Sequence, residues 1–215
     1  VRTEALLTDA YLSERARLVR PDQATAPNPG RPEMHGTVYL AAADADRMMV
    51  SLIQSNFRGF GSGVVVQGTG IALNNRGSGF VLDAKHPNVV GPRKRPLHTI
   101  IPGFATKDGE PVAAFGVMGG PMQPQGHVQV ALRLFAAGQN PQAAIDAPRW
   151  RVEDGAVMLD TAWNSAFRDG LRQRGHALID GTPIDFVASQ ILWRLGTDGY
   201  VAASESRRDG QAVGF

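Results

Sequence analysis

The first hydrophobic pattern along the chain is helical. Leu7, Tyr11 and Leu18 recur at near-helical spacing over residues 5–19, with Glu14, Arg15 and Arg17 on the other side, which predicts a short amphipathic helix. Pro21 ends it, and the prolines at 21, 27, 29 and 32 read as an extended linker. At Thr37 the pattern turns to strand. Thr37–Ala43 and residues 48–54 are runs of strand formers on either side of an Asp44-Ala45-Asp46 turn, the pattern of a hairpin. Neither run alternates cleanly, as befits strands covered on both faces.

Residues 55–63 are too glycine-rich to be regular, and they complete neither a dinucleotide nor a phosphate-loop motif. A short extended piece at 64–66 is set off by Gly68-Thr69-Gly70, and residues 78–97 read mostly as loop. Strands resume at 99–105 and 112–118 around a Lys107-Asp108-Gly109-Glu110 turn, and Gly119-Gly120 stands where the second strand ends. A helix over 127–137 is apolar on Val128, Ala131, Leu132 and Phe135 and closes at Gly138. Asn140-Pro141 opens another, and 163–174 forms a third through Trp163, Phe167 and Leu171. A last hairpin, 188–195 with 200–203, closes the pattern. The order is strands, helices, strands, without β-α-β alternation. It favours an α+β fold of stacked antiparallel sheets flanked by helices.

Composition narrows the chemistry. A chain of 215 residues with 43% hydrophobic content supports one large core, or a core plus an appendage. Net charge is only +2, so Arg93-Lys94-Arg95 reads as a solvated loop and no nucleic-acid partner is expected. The absence of cysteine removes a thiol nucleophile, disulfides and a Cys-based zinc site. The five histidines (His35, His86, His98, His127, His176) are scattered, so no metal or other cofactor is expected. No apolar run approaches the roughly 20 residues that span a bilayer.

The junction of linker and strand carries the candidate chemistry. Gly36 permits a strained or closely approached backbone just before Thr37. The Thr37 hydroxyl is placed to attack the Gly36 carbonyl in an N-to-O acyl shift. Cleavage there would leave Thr37 with a hydroxyl nucleophile and a free α-amine, whose pKa near 8 suits it to act as the hydroxyl's own base. Taken alone, a Gly-Thr pair after a linker is simply where a strand begins.

Other segments add weight to the chemical reading. Thr37-Val38-Tyr39 with Asp44, Ser55-Asn56 before Phe60-Gly61-Ser62-Gly63, and Gly68-Thr69-Gly70-Ile71 before Leu73-Asn74-Asn75 come in sequence. Gly91 to Leu97, Gly119-Gly120, Ala147-Pro148-Arg149 and Arg207-Arg208-Asp209-Gly210 follow. Together they resemble the γ-glutamyltransferase family, in family order across 37–215. Residues 1–36 resemble the end of that family's large subunit, and 37–215 its catalytic small subunit.

The resemblance implies an N-terminal-nucleophile (Ntn) hydrolase with a four-layer αββα sandwich, Thr37 as nucleophile, and Gly119 and Gly120 as oxyanion donors. It implies substrate contacts from Asn56, from Gln54 or Ser55 as the neighbouring polar donor, from Arg76, and from His98 and Thr99. It also implies autocleavage into a heterodimer with the large subunit of the same precursor. The expected activity is transfer or hydrolysis of γ-glutamyl, glutathione-type amides.

Three departures bend that expectation. Gly79 replaces the aspartate that holds the substrate's α-ammonium, Arg76 replaces a glutamine, and His98 replaces a serine. Positions 76 and 79 are both expected to line the acyl pocket. The pattern therefore also resembles the family's acylase and amidohydrolase branch, whose acyl groups lack an α-amine (glutaryl-type amides or small dicarboxylic mono-amides). An unprocessed, inactive relative is the remaining alternative.

Overall fold

The structure, a computed structural model, describes residues 8–17, 37–153, 155–197 and 199–215. The chain separates into two units, Val1–His35 and Gly36–Phe215. In the first, helix α1 (Asp9–Ala16) starts at Thr8, whose hydroxyl accepts the Tyr11 N–H at 3.3 Å. The rest of the helical pattern over 5–19, the proline-rich segment and His35-Gly36 lie outside the described residues.

The second unit opens with a hairpin. Strand β1 (Thr37–Ala43) pairs antiparallel with β2 (Met49–Ser55), from Thr37 opposite Ser55 to Ala43 opposite Met49. Asp44 Oδ1 accepts the Met48 N–H at 2.9 Å and shapes the turn. Side chains alternate, Thr37, Tyr39, Ser51 and Ser55 on one face and Val38, Leu40, Val50 and Leu52 on the other. The second face is exposed, where the sequence pattern suggests cover on both. Two-residue strands β3 (Val65–Val66) and β4 (Ile71–Ala72) make a small second hairpin.

Strands β5 (Gly103–Lys107) and β6 (Glu110–Val117) lie in the main sheet. Helix α2 (Met122–Ala131) follows and runs into a π turn, Leu132–Ala136. Helix α3 (Pro141–Asp146) then starts at Asn140, whose Oδ1 caps the Ala143 N–H at 2.9 Å. Strand β7 (Trp150–Glu153), β8 (Ala156–Asp160), helix α4 (Ser165–Gln173) and β9 (Leu178–Gly181) come next, and β10 (Ser189–Arg194) and β11 (Tyr200–Ser204) end the fold.

The main sheet is antiparallel, in the order β11-β10-β6-β5. One of its faces carries Ala113, Phe115, Val117, Ile191 and Ala203 against Val130, Leu134, Ala144 and Ile145 of the α2 and α3 region; this is the core. The other face meets the β1–β2 hairpin. There the Tyr39 ring lies so close over Gly116 that a Cβ would sit 2.4 Å from it. The Tyr39 hydroxyl bonds Ser51 Oγ at 2.8 Å, and Ser51 donates to the Gly103 carbonyl at 2.8 Å, tying hairpin to sheet.

Burial pushes the Tyr39 phenol up to about 12, against the smaller opposing effect of Ser51. The neutral phenol is therefore stabilised by folding. This contribution is whole below pH 10 and is lost as pH rises toward 12, about 2–3 kcal/mol at 1.36 per unit. Denaturant melts between pH 8 and 12 should show this fall in wild type and a shallower one in Tyr39→Phe. Parallel curves would contradict it.

Sequence and structure differ at identifiable places. Residues 99–102 are not strand; β5 starts at Gly103. Helix α2 begins five residues before position 127, because Pro124 masks its first turn, where a missing N–H costs nothing. A further sheet, β7-β8-β9, was not anticipated, and its β8 and β9 run parallel across α4. That is a β-α-β crossover, contrary to the expected absence of one. Two of its strands have only four residues, too few to display a period.

Candidate active site

The register of the first hairpin sets Thr37 beside Ser55. The Thr37 hydroxyl donates to Ser55 Oγ at 2.9 Å, and the same oxygen accepts the Phe57 N–H at 2.9 Å. Gln54 is exposed and, by alternation, projects from the opposite face. Of the two alternatives raised by sequence, Ser55 is the neighbour of Thr37. Both line a cleft of about 170 Å³ with Phe57, Arg58, Arg76, Thr99, Gly120, Pro121 and Gln123.

The glycine pair follows from how β6 ends. The Met118 N–H still bonds the Ala188 carbonyl, then Gly119 (φ +109°) and Gly120 (φ +55°) swing the chain into α2. Their carbonyls accept the N–H groups of Met122 and Gln123 at 3.1 and 3.0 Å. Neither glycine N–H has an acceptor among the described residues. At Gly119 a Cβ would lie 2.4 Å from Val187 Cγ1, so only glycine fits; at Gly120 it would meet nothing within 4 Å. Gly120 thus presents bare backbone to the cleft at the positive end of a helix.

Buried side chains hold this corner. His127 bonds the Gln123 carbonyl through Nδ1 at 2.7 Å and accepts the Val117 N–H at Nε2 at 3.3 Å, bridging strand end and helix start. Burial lowers its pKa, which keeps it in the neutral form this bridge requires. Val187, at φ +55°, packs on Gly119 and is held from behind by Arg149. Arg149 is fully buried; it donates to the carbonyls of Phe186 (2.9 Å) and Val187 (3.3 Å) and pairs with Glu205 at 2.7 Å. Arg207 completes the pair at Glu205 Oε1, also 2.7 Å. These are the Ala-Pro-Arg and Arg-Arg-Asp-Gly segments singled out in sequence.

The opposite wall is cationic. Arg76 begins a 3₁₀ turn (Arg76–Gly79), is buried, and stands 5.2 Å from the centre of the Phe57 ring. Its Nη1 donates to Thr99 Oγ1 at 3.4 Å. Desolvation lowers its pKa, yet a guanidinium remains charged at neutral pH. Asn75 staples this turn to the 58–61 loop, donating to the carbonyls of Arg58 and Gly61.

Other expected contacts fall outside the cleft. His98 is exposed, its Nδ1 taken by the Ile100 N–H; desolvation first, then Arg76 and Arg95, lower its pKa. Asn56 is half-buried and is not among the lining residues, its carbonyl accepting the Asn75 N–H. Gly79 is also outside, its carbonyl accepting Asn88 Nδ2. Sequence reading passed over Gln123, which lines the cleft at 1% exposure. Its only signal was its place three residues after Gly120. Among the described residues no group of acidic or histidine side chains is placed to hold a metal ion, and no helix is long and apolar enough to cross a membrane.

A family model described as Gamma-glutamyltranspeptidase matches residues 1–215. The chain is 34% identical over 220 residues to the glutathione hydrolase-like YwrD proenzyme of Bacillus subtilis (strain 168), covering 99% of this chain and 42% of that protein. It is 34% identical over 175 residues to the oxamate amidohydrolase proenzyme of Klebsiella pneumoniae, covering 81% of this chain and 31% of that protein. Among solved structures, a cephalosporin acylase from Bacillus halodurans superposes with a TM-score of 0.76 at 48% identity, covering 98% of this chain and 39% of that one. The chain thus spans about two fifths or less of the length of these proteins. The stacked sheets with helices on one face are the α+β fold of Ntn hydrolases. The chain belongs to the γ-glutamyltranspeptidase family and carries the fold of an Ntn-hydrolase enzyme.

Proposed function

We propose that this chain is the catalytic part of an autoprocessing threonine amidohydrolase whose substrates are amides of acidic acyl groups lacking an α-amine. Residues 1–36 are the tail of its large subunit and 37–215 the small subunit, the two remaining partners after cleavage. One observation carries the reading. The cleft that holds Thr37 and Gly120 contains two arginines and no carboxylate or imidazole among its lining residues.

The base follows from that inventory. Ser55 is an acceptor for the Thr37 hydroxyl, but a neutral hydroxyl is far too weak a base to ionise it. The α-amine freed at Thr37 is the base that remains. In maturation, Thr37 Oγ attacks the Gly36 carbonyl and its proton passes to the Thr37 nitrogen. The C–N bond breaks, freeing the α-amine as an ester forms, and water then hydrolyses the ester to the Gly36 carboxylate and the Thr37 hydroxyl. In turnover the amine takes the Oγ proton as oxygen attacks the acyl carbonyl. The Gly119 and Gly120 N–H groups receive the oxyanion, and the proton passes to the departing amine. Water hydrolyses the acyl-threonine ester by the same route.

Arg76 sets the acyl preference. A partly desolvated guanidinium attracts an acyl carboxylate and repels an ammonium. Relatives named cephalosporin acylase and oxamate amidohydrolase support acyl amides of this kind, oxamate being itself a dicarboxylic mono-amide. A γ-glutamyl substrate is the second reading, favoured by similarity to a glutathione hydrolase-like proenzyme over 99% of the chain.

The two are separated by kcat/KM on a glutaryl and a γ-glutamyl anilide. Wild type is expected to hydrolyse the glutaryl donor at least as well. In a 3₁₀ turn, positions i and i+3 stack, so an aspartate at 79 would stand beside position 76; its Cβ would meet only the Leu97 carbonyl, at 3.9 Å. Gly79→Asp with Arg76→Gln should therefore move preference toward γ-glutamyl donors by roughly ten- to a hundredfold. A strong γ-glutamyl preference in wild type that the double substitution leaves in place would overturn the proposal.

A further inference from the structure

Gln123 is a buried polar residue of the cleft with no role in the chemistry so far. It sits in the first turn of α2, is 1% exposed, and lines the cleft together with Arg76 and Thr99. Its Oε1 accepts the Ile101 N–H at 2.9 Å. That bond fixes which way the carboxamide is turned, since the reverse orientation would set two donors against each other. Its Nε2 is left with no acceptor among the described residues. A donor with no protein partner on a residue that lines the cleft is open to a ligand or to water. The backbone that carries this side chain is also held: His127 bonds the Gln123 main-chain carbonyl, and the Gln123 main-chain N–H donates to the Gly120 carbonyl.

We infer that Gln123 is a substrate-binding residue whose Nε2 donates to the distal carboxylate of the acyl group, joining Arg76 and Thr99 in one anion-binding corner. This rests on the acidic-acyl reading above and deepens it. Three donors of different character converge there: a guanidinium supplies charge, while a hydroxyl and an oriented amide supply direction. The corner is continuous with the oxyanion site, because Gln123 and Gly120 belong to the same turn. One rigid element therefore sets the spacing between the reacting carbonyl and the distal carboxylate, and the residue selects acyl length as well as charge.

Gln123→Glu is the discriminating variant. It keeps the shape and an oxygen for the Ile101 N–H, and replaces only the donor. In processed enzyme, kcat/KM for the glutaryl anilide should fall ten- to a hundredfold, mainly through KM. The ratio of γ-glutamyl to glutaryl turnover should rise, because the new carboxylate faces the cleft. Gln123→Met should lower glutaryl turnover without raising that ratio. Equal losses on both donors with a lowered melting temperature, or no change in the ratio for Gln123→Glu, would overturn the assignment. A wild type that does not hydrolyse the glutaryl donor overturns the acidic-acyl reading instead, and this one falls with it.

Discussion

Thr37→Ala is expected to remain a single uncleaved precursor and to lose about four to six decades of turnover, the scale of removing a nucleophile whose partners act only through it. The structural reason is local. The hydroxyl is the group at the head of β1 that faces the cleft, and Ser55 is its hydrogen-bond partner. Removing it deletes the attacking atom in both maturation and turnover, while the methyl of alanine fits a half-buried strand position. Folding should be nearly untouched, because Thr37 lies at the edge of the hairpin and outside the core. Thr37→Ser retains oxygen and amine and should mature more slowly. Intact mass followed over time, with activity on both anilides, gives the answer. A Thr37→Ala protein that still splits at Gly36–Thr37 would refute the assignment of nucleophile.

Much of this arrangement is legible in sequence where local chemistry dictates it. The β1–β2 hairpin is, because two runs of strand formers flank a polar turn and Asp44 can cap it. The start of α3 is, because Asn140 suits the cap and Pro141 the first position of a helix. The crossover from β8 to β9 is not, since β9 has only four residues, too few to display a period. Nor is the first turn of α2, where a proline acceptable at that position looks like a breaker. In the site, Thr37 and the glycine pair are assigned through the family resemblance carried by several segments in order, since a Gly-Thr pair alone reads only as the start of a strand. Gln123 is not, because its meaning comes from burial and from Ile101, twenty-two residues away. His98 and Gly79 are assigned to the pocket by resemblance to the family's motifs; neither is among the residues that line the cleft with Arg76 and Thr99.

The glycine pair supplies the other large effect, and its two members should fail differently. Gly119 is hemmed in: any Cβ collides with Val187, a residue itself at φ +55° and held by the buried Arg149–Glu205 pair. Substitution there must displace Val187 and should cost folding and activity together. Gly120 has open space at its Cβ and faces the cleft. Gly120→Val should therefore lower the melting temperature only through backbone strain, about 1–3 kcal/mol for a β-branched residue at this φ. Its activity should fall much further, because turning the Gly120 N–H away removes a preorganised donor worth about 3–4 kcal/mol, or 10²–10³ in rate. Gly120→Ala, less strained, should keep most of the stability and still show the rate loss. The comparison is made on refolded, mass-verified protein, with kcat normalised to the folded fraction. If normalised kcat for Gly120→Ala stays within a few-fold of wild type, the pair merely permits an unusual turn, and the oxyanion must be held elsewhere.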